Sequence, residues 1–269
     1  MRSGTRLETR PDCVELFVRG ERAAGYLHDA STPGLLPLYA TERRAVTQSY
    51  FENGVSVWIG HSDLGGFAFG EKSGVSLGRY RTQDVIARRG SQSVGVQHTC
   101  GCFTPEERCL MTEVRTLRIQ PGPASGTILD IRLELKAPET QAVKLPRSDR
   151  GLLRIQLASA FGAATSTIRN SAGDYGRDLD QRSAAWCGCV GVLNAETVGL
   201  VILDHPSNPA HPPVWNLDAS GTLEINPHYW QDTQIAPRAS VEFRYRLLIH
   251  AGYVEQGWAD LRMREFVAS

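Results

Sequence analysis

The sequence lacks the features that would bring a protein to a membrane or a nucleic acid. Its longest nearly apolar stretch, residues 186–203, is interrupted by Asn194, Glu196 and Thr197, whereas a membrane-spanning helix needs about 20 mainly apolar residues. Neither charge is in excess, because 29 basic side chains balance 29 acidic ones. Nucleic acids and anionic membranes attract an excess of Lys and Arg. We therefore expect neither as a partner, and expect a small-molecule ligand instead.

The amino terminus also lacks the apolar segment of a secretory signal. Residues 1–6 lead directly into Glu8, Arg10 and Asp12, so the expected location is the cytoplasm. In that reducing compartment the six cysteines are expected to remain free thiols. The Cys-Gly-Cys tripeptides at 100–102 and 187–189 could hold zinc together with His98, but zinc sites more often have two residues between the cysteines. Buried thiols without a ligand are the favoured interpretation.

Long helical patterns are scarce, and alternation with a period of two dominates. In residues 129–136 the odd positions are apolar and the even ones charged, and residues 241–249 repeat the pattern. Such alternation is typical of antiparallel strands with one face on a core. Further strands are predicted at residues 13–18, 55–60, 94–99, 113–119, 152–158, 188–193 and 199–203. The sequence predicts an all-β protein, a large antiparallel β-sandwich in one domain over residues 1–269, with a helical tail at 254–269.

The most distinctive motif is the stretch 199–209, which reads GLVILDHPSNP and is followed by Trp215 and an Asn226-Pro227 pair. Together with PLY at 37–39, WIGHSDLGG at 58–66, Glu113 and Arg154, it resembles the PmoA-like family over roughly residues 13–252. The resemblance implies a supersandwich fold like that of galactose mutarotases, and a carbohydrate-directed function. The family name refers to a membrane subunit of methane oxygenase, an activity that the composition excludes here.

The sequence departs from this family at one string. Family members carry H-H-R-G shortly before the W-x-x-H segment, whereas this chain has Asn53-Gly54-Val55-Ser56. The departure leaves two alternatives open, a divergent member with altered chemistry and a non-catalytic member.

Acid–base chemistry on a sugar requires a group that titrates near neutrality and a carboxylate within hydrogen-bonding reach. The predicted catalytic residues are His205, His61 and Glu113. The predicted substrate-binding residues are Arg154, Asp63, Asp204, Asn208, Trp215 and Asn226. The sequence identifies no cofactor, since it has no phosphate-binding loop. A divalent metal is an open alternative, because His61, Asp63, His205 and Glu113 are suitable donor types.

Structural roles compete with each of these assignments. Asp204 could cap its own turn, His205 could pack beneath Trp215, and Glu113 and Arg154 could form an ion pair between neighbouring strands. Three functions therefore follow from the sequence: a sugar-directed epimerase, lyase or hydrolase; a non-catalytic carbohydrate-binding protein; or a specialised-metabolism lyase or cyclase acting on a non-sugar substrate. Edge strands of a sandwich also permit a homodimer.

Overall fold

The chain folds mainly into β-strands. The computed structural model describes residues 4–41, 44–72, 76–123, 125–162 and 167–269. The strands are β1 Thr5–Thr9, β2 Cys13–Val18, β3 Glu21–Leu27, β4 Gly34–Leu35, β5 Tyr39–Thr41, β6 Arg44–Ala45, β7 Val57–Ile59, β8 His61–Leu64, β9 Phe67–Phe69, β10 Arg79–Arg89, β11 Val94–Phe103, β12 Cys109–Pro121, β13 Thr127–Lys136, β14 Val143–Leu145, β15 Leu153–Gln156, β16 Ile168–Asn170, β17 Arg182–Ser183, β18 Trp186–Leu193, β19 Glu196–Asp204, β20 Val214–Leu217, β21 Thr222–Asn226, β22 Thr233–Ile235 and β23 Ser240–Ala251. The helices are α1 Ser159–Gly162, α2 Gln256–Val267 and a 3-10 turn at Gly176–Leu179.

Two large antiparallel sheets contain most of these strands. The nine-stranded sheet has the order β1-β2-β3-β4-β7-β15-β21-β20-β17, and the eight-stranded sheet has the order β10-β11-β12-β13-β23-β19-β18-β16. Three two-stranded ribbons, β5-β6, β8-β9 and β14-β22, complete the described strands. The structure therefore confirms the predicted all-β sandwich.

The core lies between the two large sheets, where alternation places the apolar residues. In β13 the side chains of Leu129, Ile131, Leu133 and Leu135 are buried, while the residues between them reach the surface at least in part. They belong to one apolar cluster with residues of the opposite sheet, including Ile155. The period of two thus fixes which face of each strand is removed from water.

Several strands run beyond their predicted ends. Strand β11 continues to Phe103, so Cys100 and Cys102 lie on the same buried face as His98. Five of the six cysteines are buried and the sixth, Cys109, is partly buried. This agrees with the prediction that these thiols pack as small apolar side chains.

The predicted helical tail is α2, which packs on the eight-stranded sheet. Ala259 and Phe266 are its buried residues, and they join a small apolar cluster with Trp186 and Leu248. The indole N–H of Trp186 donates to Oδ1 of Asp260 at 2.8 Å, which fixes the helix on the sheet. Within the described residues, no helix has the length and apolar character needed to cross a membrane.

Candidate functional sites

A cluster of charged side chains lies inside the sandwich. In β12 the residues Glu113 and Arg115 follow the same alternation as Leu117 and Ile119, so all four are buried on the inner face of the eight-stranded sheet. On the opposite side, His61 opens β8 immediately after β7 leaves the nine-stranded sheet. The β8-β9 ribbon thus brings a histidine onto a carboxylate of the eight-stranded sheet.

The distances within this cluster are short. His61 Nε2 lies 2.6 Å from Glu113 Oε1, and the Arg115 Nε–H donates to Glu113 Oε2 at 2.7 Å. Arg115 also donates through Nη1 to the carbonyl of Pro33 at 2.7 Å. Burial alone would raise the pKa of the Glu113 carboxyl, but Arg115 and then His61 outweigh it and hold that pKa at about 2. The carboxylate is therefore ionised near neutral pH although it is fully buried.

Strand β11 adds thiol and imidazole groups to the same interior. The Cys102 Sγ donates to Glu113 Oε1 at 3.4 Å. His98 Nδ1 lies 2.8 Å from the Tyr26 hydroxyl, and His98 Nε2 lies 3.1 Å from Thr82 Oγ1. Because Thr82 Oγ1 donates to a backbone carbonyl, we assign the His98 proton to Nε2. Burial, followed by the charge of Arg115, lowers the pKa of His98 to about 3.

His228 lies at the same end of the nine-stranded sheet as His61. Ile59, Leu153 and Ile225 are paired across β7, β15 and β21, and the two histidines follow two and three residues after Ile59 and Ile225. The His228 Nδ1 is 3.1 Å from Thr233 Oγ1. Its buried Nε2 has no hydrogen-bond partner among the described residues. Burial and then the charge of His61 lower the pKa of His228 to about 4.

A second polar group lies on the outer face of the nine-stranded sheet. The pairing places Trp58, Arg154, Glu224 and Asn216 side by side across four strands. We call these four residues the outer polar row. Gly60 makes room for it, because a Cβ there would lie 2.8 Å from the Arg154 Cζ. Charged residues in the middle of a sheet face thus replace the apolar side chains expected there.

Arg154 is fully buried and held on three sides. Its Nη1 donates to Glu71 Oε1 at 2.5 Å, its Nε to the Gly151 carbonyl at 2.7 Å, and its Nη2 to Ser62 Oγ at 3.4 Å. A buried Arg with a carboxylate partner is a fixed positive group. Here it orients the Glu71 carboxylate.

Glu224 and Asn216 have unfilled hydrogen-bonding capacity. Glu224 Oε2 accepts the backbone N–H of Gly151 at 2.7 Å. Its Oε1 lies 3.4 Å from Arg150 Nη1, but it accepts no hydrogen bond from the described residues, and neither does Asn216 Oδ1. Burial raises the pKa of Glu224, against the opposing effect of Arg154. Arg150 also approaches Glu71 at 3.9 Å, so one guanidinium lies near both carboxylates.

A cavity of about 820 Å³ opens beside this row. Tyr50 lines it and stacks on the buried Trp58 ring, with centroids 4.5 Å apart and planes at 17°. The Lys72 ammonium lies 3.9 Å from the centroid of the Tyr50 ring. The remaining lining residues are Ser31, Thr32, Phe51, Glu52, Asn53, Ala68, Gly70, Glu71, Leu77 and Gly78. We call it the Tyr50 cavity.

The distinctive DHPSNP motif forms a turn whose polar side chains find their hydrogen-bond partners within the turn and next to it. Asp204 Oδ1 accepts from Asn208 Nδ2, and Asp204 Oδ2 lies 2.7 Å from His211 Nδ1. Burial raises the pKa of Asp204, against the effect of its partners His211 and Asn208. Asp204 therefore stabilises the turn, as the structural alternative expected, but through the side chains of Asn208 and His211 rather than through a backbone N–H of the described residues.

His205 lies next to that turn, near the C-terminal helix. Its Nδ1 is 2.7 Å from Ser207 Oγ, and its ring packs edge-on against Phe266, with centroids 4.9 Å apart. Its aromatic partner is thus Phe266 of α2 rather than the expected Trp215. The Trp215 ring is fully buried in the core, where its Nε1 donates to the Ala184 carbonyl at 2.8 Å.

The comparison with protein families gives one result. The model of a family of unknown function, DUF6807, matches residues 13–261. The chain belongs to this family. No curated protein matches it significantly. The DUF6807 description mentions neither PmoA nor galactose mutarotase, so the resemblance found in the sequence stays a prediction.

In this DUF6807 member, the structure joins only two of the predicted catalytic residues. His61 and Glu113 are in contact, whereas His205 lies with Ser207 and α2. Glu113 pairs with Arg115, and Arg154 pairs with Glu71, so the expected Glu113–Arg154 pair does not form.

Two further predicted binding residues stabilise local backbone. The Asp63 carboxylate accepts the backbone N–H of Gly66 at 2.8 Å, beside a smaller cavity of about 370 Å³. Asn226 Nδ2 donates to the Ser148 carbonyl at 2.9 Å, while its Oδ1 accepts the backbone N–H of His228. The Asn226 amide is engaged through both its oxygen and its nitrogen, which leaves it less available to a ligand. Asp63 is exposed, lines the smaller cavity and uses only Oδ1 in its hydrogen bond.

Sequence reasoning missed Arg115, Glu71, Glu224 and Tyr50. Arg115 could have been found, because it follows Glu113 by two residues and must share its face. Glu71 and Tyr50 lie outside the strands, where no periodic signal exists. Of the described residues, the only group of potential metal donors is His61, Cys102 and Glu113, which shares two members with the predicted set.

Proposed function

We propose that this protein binds a sugar-like small molecule in the Tyr50 cavity. The observation that carries the proposal is the aromatic floor of a cavity of about 820 Å³ beside an oriented carboxylate. Tyr50 is backed by the stacked Trp58, so its ring is held in place. A flat, rigid aromatic ring suits the C–H face of a sugar. The Lys72 ammonium lies over the ring face opposite Trp58, so a sugar would stack there by displacing this side chain.

Polar groups at the rim and wall would fix the orientation of such a ligand. Glu71 is held by the buried Arg154 and lines the cavity together with Thr32 and Asn53. Ligand sites commonly combine apolar walls with a few polar groups that set orientation. Carboxylate and amide oxygens are acceptors for sugar hydroxyls.

The cavity also includes part of the string that departs from the PmoA-like pattern. Asn53 lines it, and Asn53 is the first of the four residues that stand where that pattern has H-H-R-G. The residues His61 and Glu113 are absent from the described lining of this cavity. Binding without the predicted His/carboxylate chemistry is therefore the function that the geometry supports best.

A sugar-directed enzyme is the second candidate, and one observation favours it. Glu71, which lines the cavity, and Glu224, which is not among its described lining residues, both approach the Arg150 guanidinium, and burial raises the pKa of Glu224. A pair of carboxyl groups is the usual acid–base equipment of enzymes acting on sugars. In this protein they would take the roles that the sequence assigned to histidines.

The test is a binding screen with neutral monosaccharides, disaccharides and sugar acids, followed by ligand-observed NMR. Replacing Tyr50 by Ala should weaken binding about 2- to 10-fold, the loss expected for one aromatic contact. Trp230→Ala is the matched control, because Trp230 is an exposed aromatic residue outside the described lining of the cavity. Equal affinity of Tyr50→Ala and Trp230→Ala for every ligand would refute the site.

The same samples separate the two candidates. After long incubation with a bound sugar, an unchanged NMR spectrum supports a binding protein. New product signals that disappear in Glu71→Gln or Glu224→Gln support the enzyme instead.

A further inference from the structure

Three potential metal ligands meet inside the sandwich, away from the Tyr50 cavity. One donor atom each from His61, Cys102 and Glu113 lies within 4.8 Å of the other two. All three residues are buried, and they come from β8, β11 and β12. The donors therefore connect the β8-β9 ribbon to two neighbouring strands of the eight-stranded sheet.

The hydrogen bonds of this group converge on one oxygen. Glu113 Oε1 lies 2.6 Å from His61 Nε2 and accepts from Cys102 Sγ at 3.4 Å. A dication at this point would replace the proton of the thiol and the proton between histidine and carboxylate. Ordinary zinc bonds of about 2.0–2.3 Å in a tetrahedral arrangement separate the donor atoms by roughly 3.3–3.8 Å. The Cys102–Glu113 separation of 3.4 Å already falls in that range, and the His61–Glu113 separation of 2.6 Å would have to widen by about 0.7 Å.

The carboxylate is already oriented for single-oxygen coordination. Arg115 occupies the other oxygen, with Nε 2.7 Å from Glu113 Oε2 and Nη2 2.6 Å from it. A hydrogen-bond partner on the oxygen that does not coordinate the metal fixes the orientation of the carboxylate ligand. The Arg115 guanidinium would repel a bound dication, because both are positively charged. The negative charge of the Cys102 thiolate is therefore needed beside that of Glu113.

A candidate fourth donor is His228, which follows β21 of the nine-stranded sheet and whose ring nitrogens are not within 4.8 Å of all three donor atoms. The His228 side chain is buried, and its Nε2 lacks a partner among the described residues. Its Nδ1 lies 3.1 Å from Thr233 Oγ1. A histidine that bonds through one ring nitrogen and has the other one free is prepared for metal coordination. An orphaned buried nitrogen also gains more from a ligand than a satisfied one.

We propose that His61, Cys102 and Glu113 bind a transition-metal dication, and that the His228 side chain moves in as the fourth ligand. One imidazole-rich, single-thiolate donor set suits zinc, and cobalt can replace zinc as a spectroscopic probe. All three donors are buried away from solvent, so the ion would be structural rather than catalytic. It would fasten the two layers of the sandwich at one end. This inference is independent of the proposed sugar site.

The test uses the full chain, freed of metal with a chelator and titrated with Co²⁺. The wild type should bind one equivalent, with a thiolate-to-cobalt charge-transfer band and the strong visible bands of a tetrahedral ion. Cys102→Ser should abolish the charge-transfer band and weaken binding at least 10-fold. Cys100→Ser is the matched control, because Cys100 is equally buried on the same strand face but is not among the donors.

Two further measurements keep the proposal open to refutation if a variant does not fold. X-ray absorption on the cobalt-loaded wild type should show one sulfur and two or three nitrogen or oxygen ligands. His228→Gln should retain the charge-transfer band with weaker binding. A wild type that binds no stoichiometric cobalt, a first shell without sulfur, or an unchanged band in folded Cys102→Ser would overturn the proposal.

Discussion

Replacing Arg115 by Met should destabilise the protein far more than removing any surface arginine. The side chain makes two contacts with Glu113 Oε2, at 2.7 and 2.6 Å, and donates to the Pro33 carbonyl at 2.7 Å. Its Cζ also lies 4.8 Å from the centroid of the Tyr80 ring. Both members of the ion pair are buried, with side-chain exposures of 3% and 0%. Met fills similar space but supplies no charge.

The magnitude follows from what the substitution leaves behind. Without Arg115, the Glu113 carboxylate keeps His61 and the weak Cys102 donor but loses the cation that most strongly holds its pKa down. Removing one partner of a buried ion pair costs about 3–5 kcal/mol, because the remaining charge stays out of water without compensation. That is a large part of the free energy of unfolding of an ordinary domain.

The assay is equilibrium unfolding in urea with a chelator present, so that metal binding does not contribute. Arg132→Met is the matched control, because Arg132 pairs with Glu242 on the same sheet while its side chain is 60% exposed. An exposed pair contributes only about 0–1 kcal/mol. The double variant Glu113→Gln/Arg115→Met should regain part of the loss, since no buried charge remains. If Arg115→Met and Arg132→Met unfold at the same urea concentration, the assignment of Arg115 to the stability of the interior is refuted.

Three other predictions concern stability. The pKa of His98 is about 3 in the folded protein against an ordinary 6.5, so the unfolded chain takes up a proton first as the pH drops. The free energy of unfolding should therefore fall between pH 6.5 and pH 3, by up to about 1.4 kcal/mol per pH unit. In His98→Gln, the free energy of unfolding measured at pH 4 and pH 7 should differ less than in the wild type. Asp260→Ala leaves the Trp186 indole N–H without its acceptor and should cost about 1–3 kcal/mol, with a changed near-ultraviolet circular dichroism signal as the check. Gly95→Ala would place a Cβ 2.0 Å from the Leu117 carbonyl oxygen, so the backbone must move. We expect the free energy of unfolding to fall by about 1–3 kcal/mol. An unchanged melting temperature would contradict the close approach of the two strands.

The fold was predictable because one face of most strands is buried. Alternation in residues 129–136 and 241–249 identified β13 and β23, which pair along the full length of β13. The predicted 13–18 strand matches β2 at both ends. Strand order within the sheets was not predictable, because many pairing partners are distant in sequence. Alternation shows which face of a strand is buried, but not which strand lies beside it.

The sites were harder to predict for a related reason. The sequence placed His61 and Glu113 among the candidate residues, and alternation shows that Glu113 must face inwards or outwards with Arg115. It does not show that β8, in a separate ribbon, and β12, in the eight-stranded sheet, bring the two residues to 2.6 Å. The Tyr50 cavity depends on Tyr50 and Glu71, which lie outside the strands. Connecting segments carry no periodic pattern from which their side-chain positions could be read.

The contrast between the DHPSNP turn and the outer polar row shows which polar groups can serve a ligand. Asp204 and Asn208 consume their hydrogen bonds within the turn and with neighbouring strands. A ligand would have to break those bonds before it could form its own, and the exchange gains little. Glu224 Oε1 and Asn216 Oδ1 are buried without such bonds, so a hydroxyl donor that reached them would remove an existing penalty. The DHPSNP motif therefore serves to form a turn. Glu224 and Asn216, which are less distinctive in the sequence, are better suited to bind a ligand.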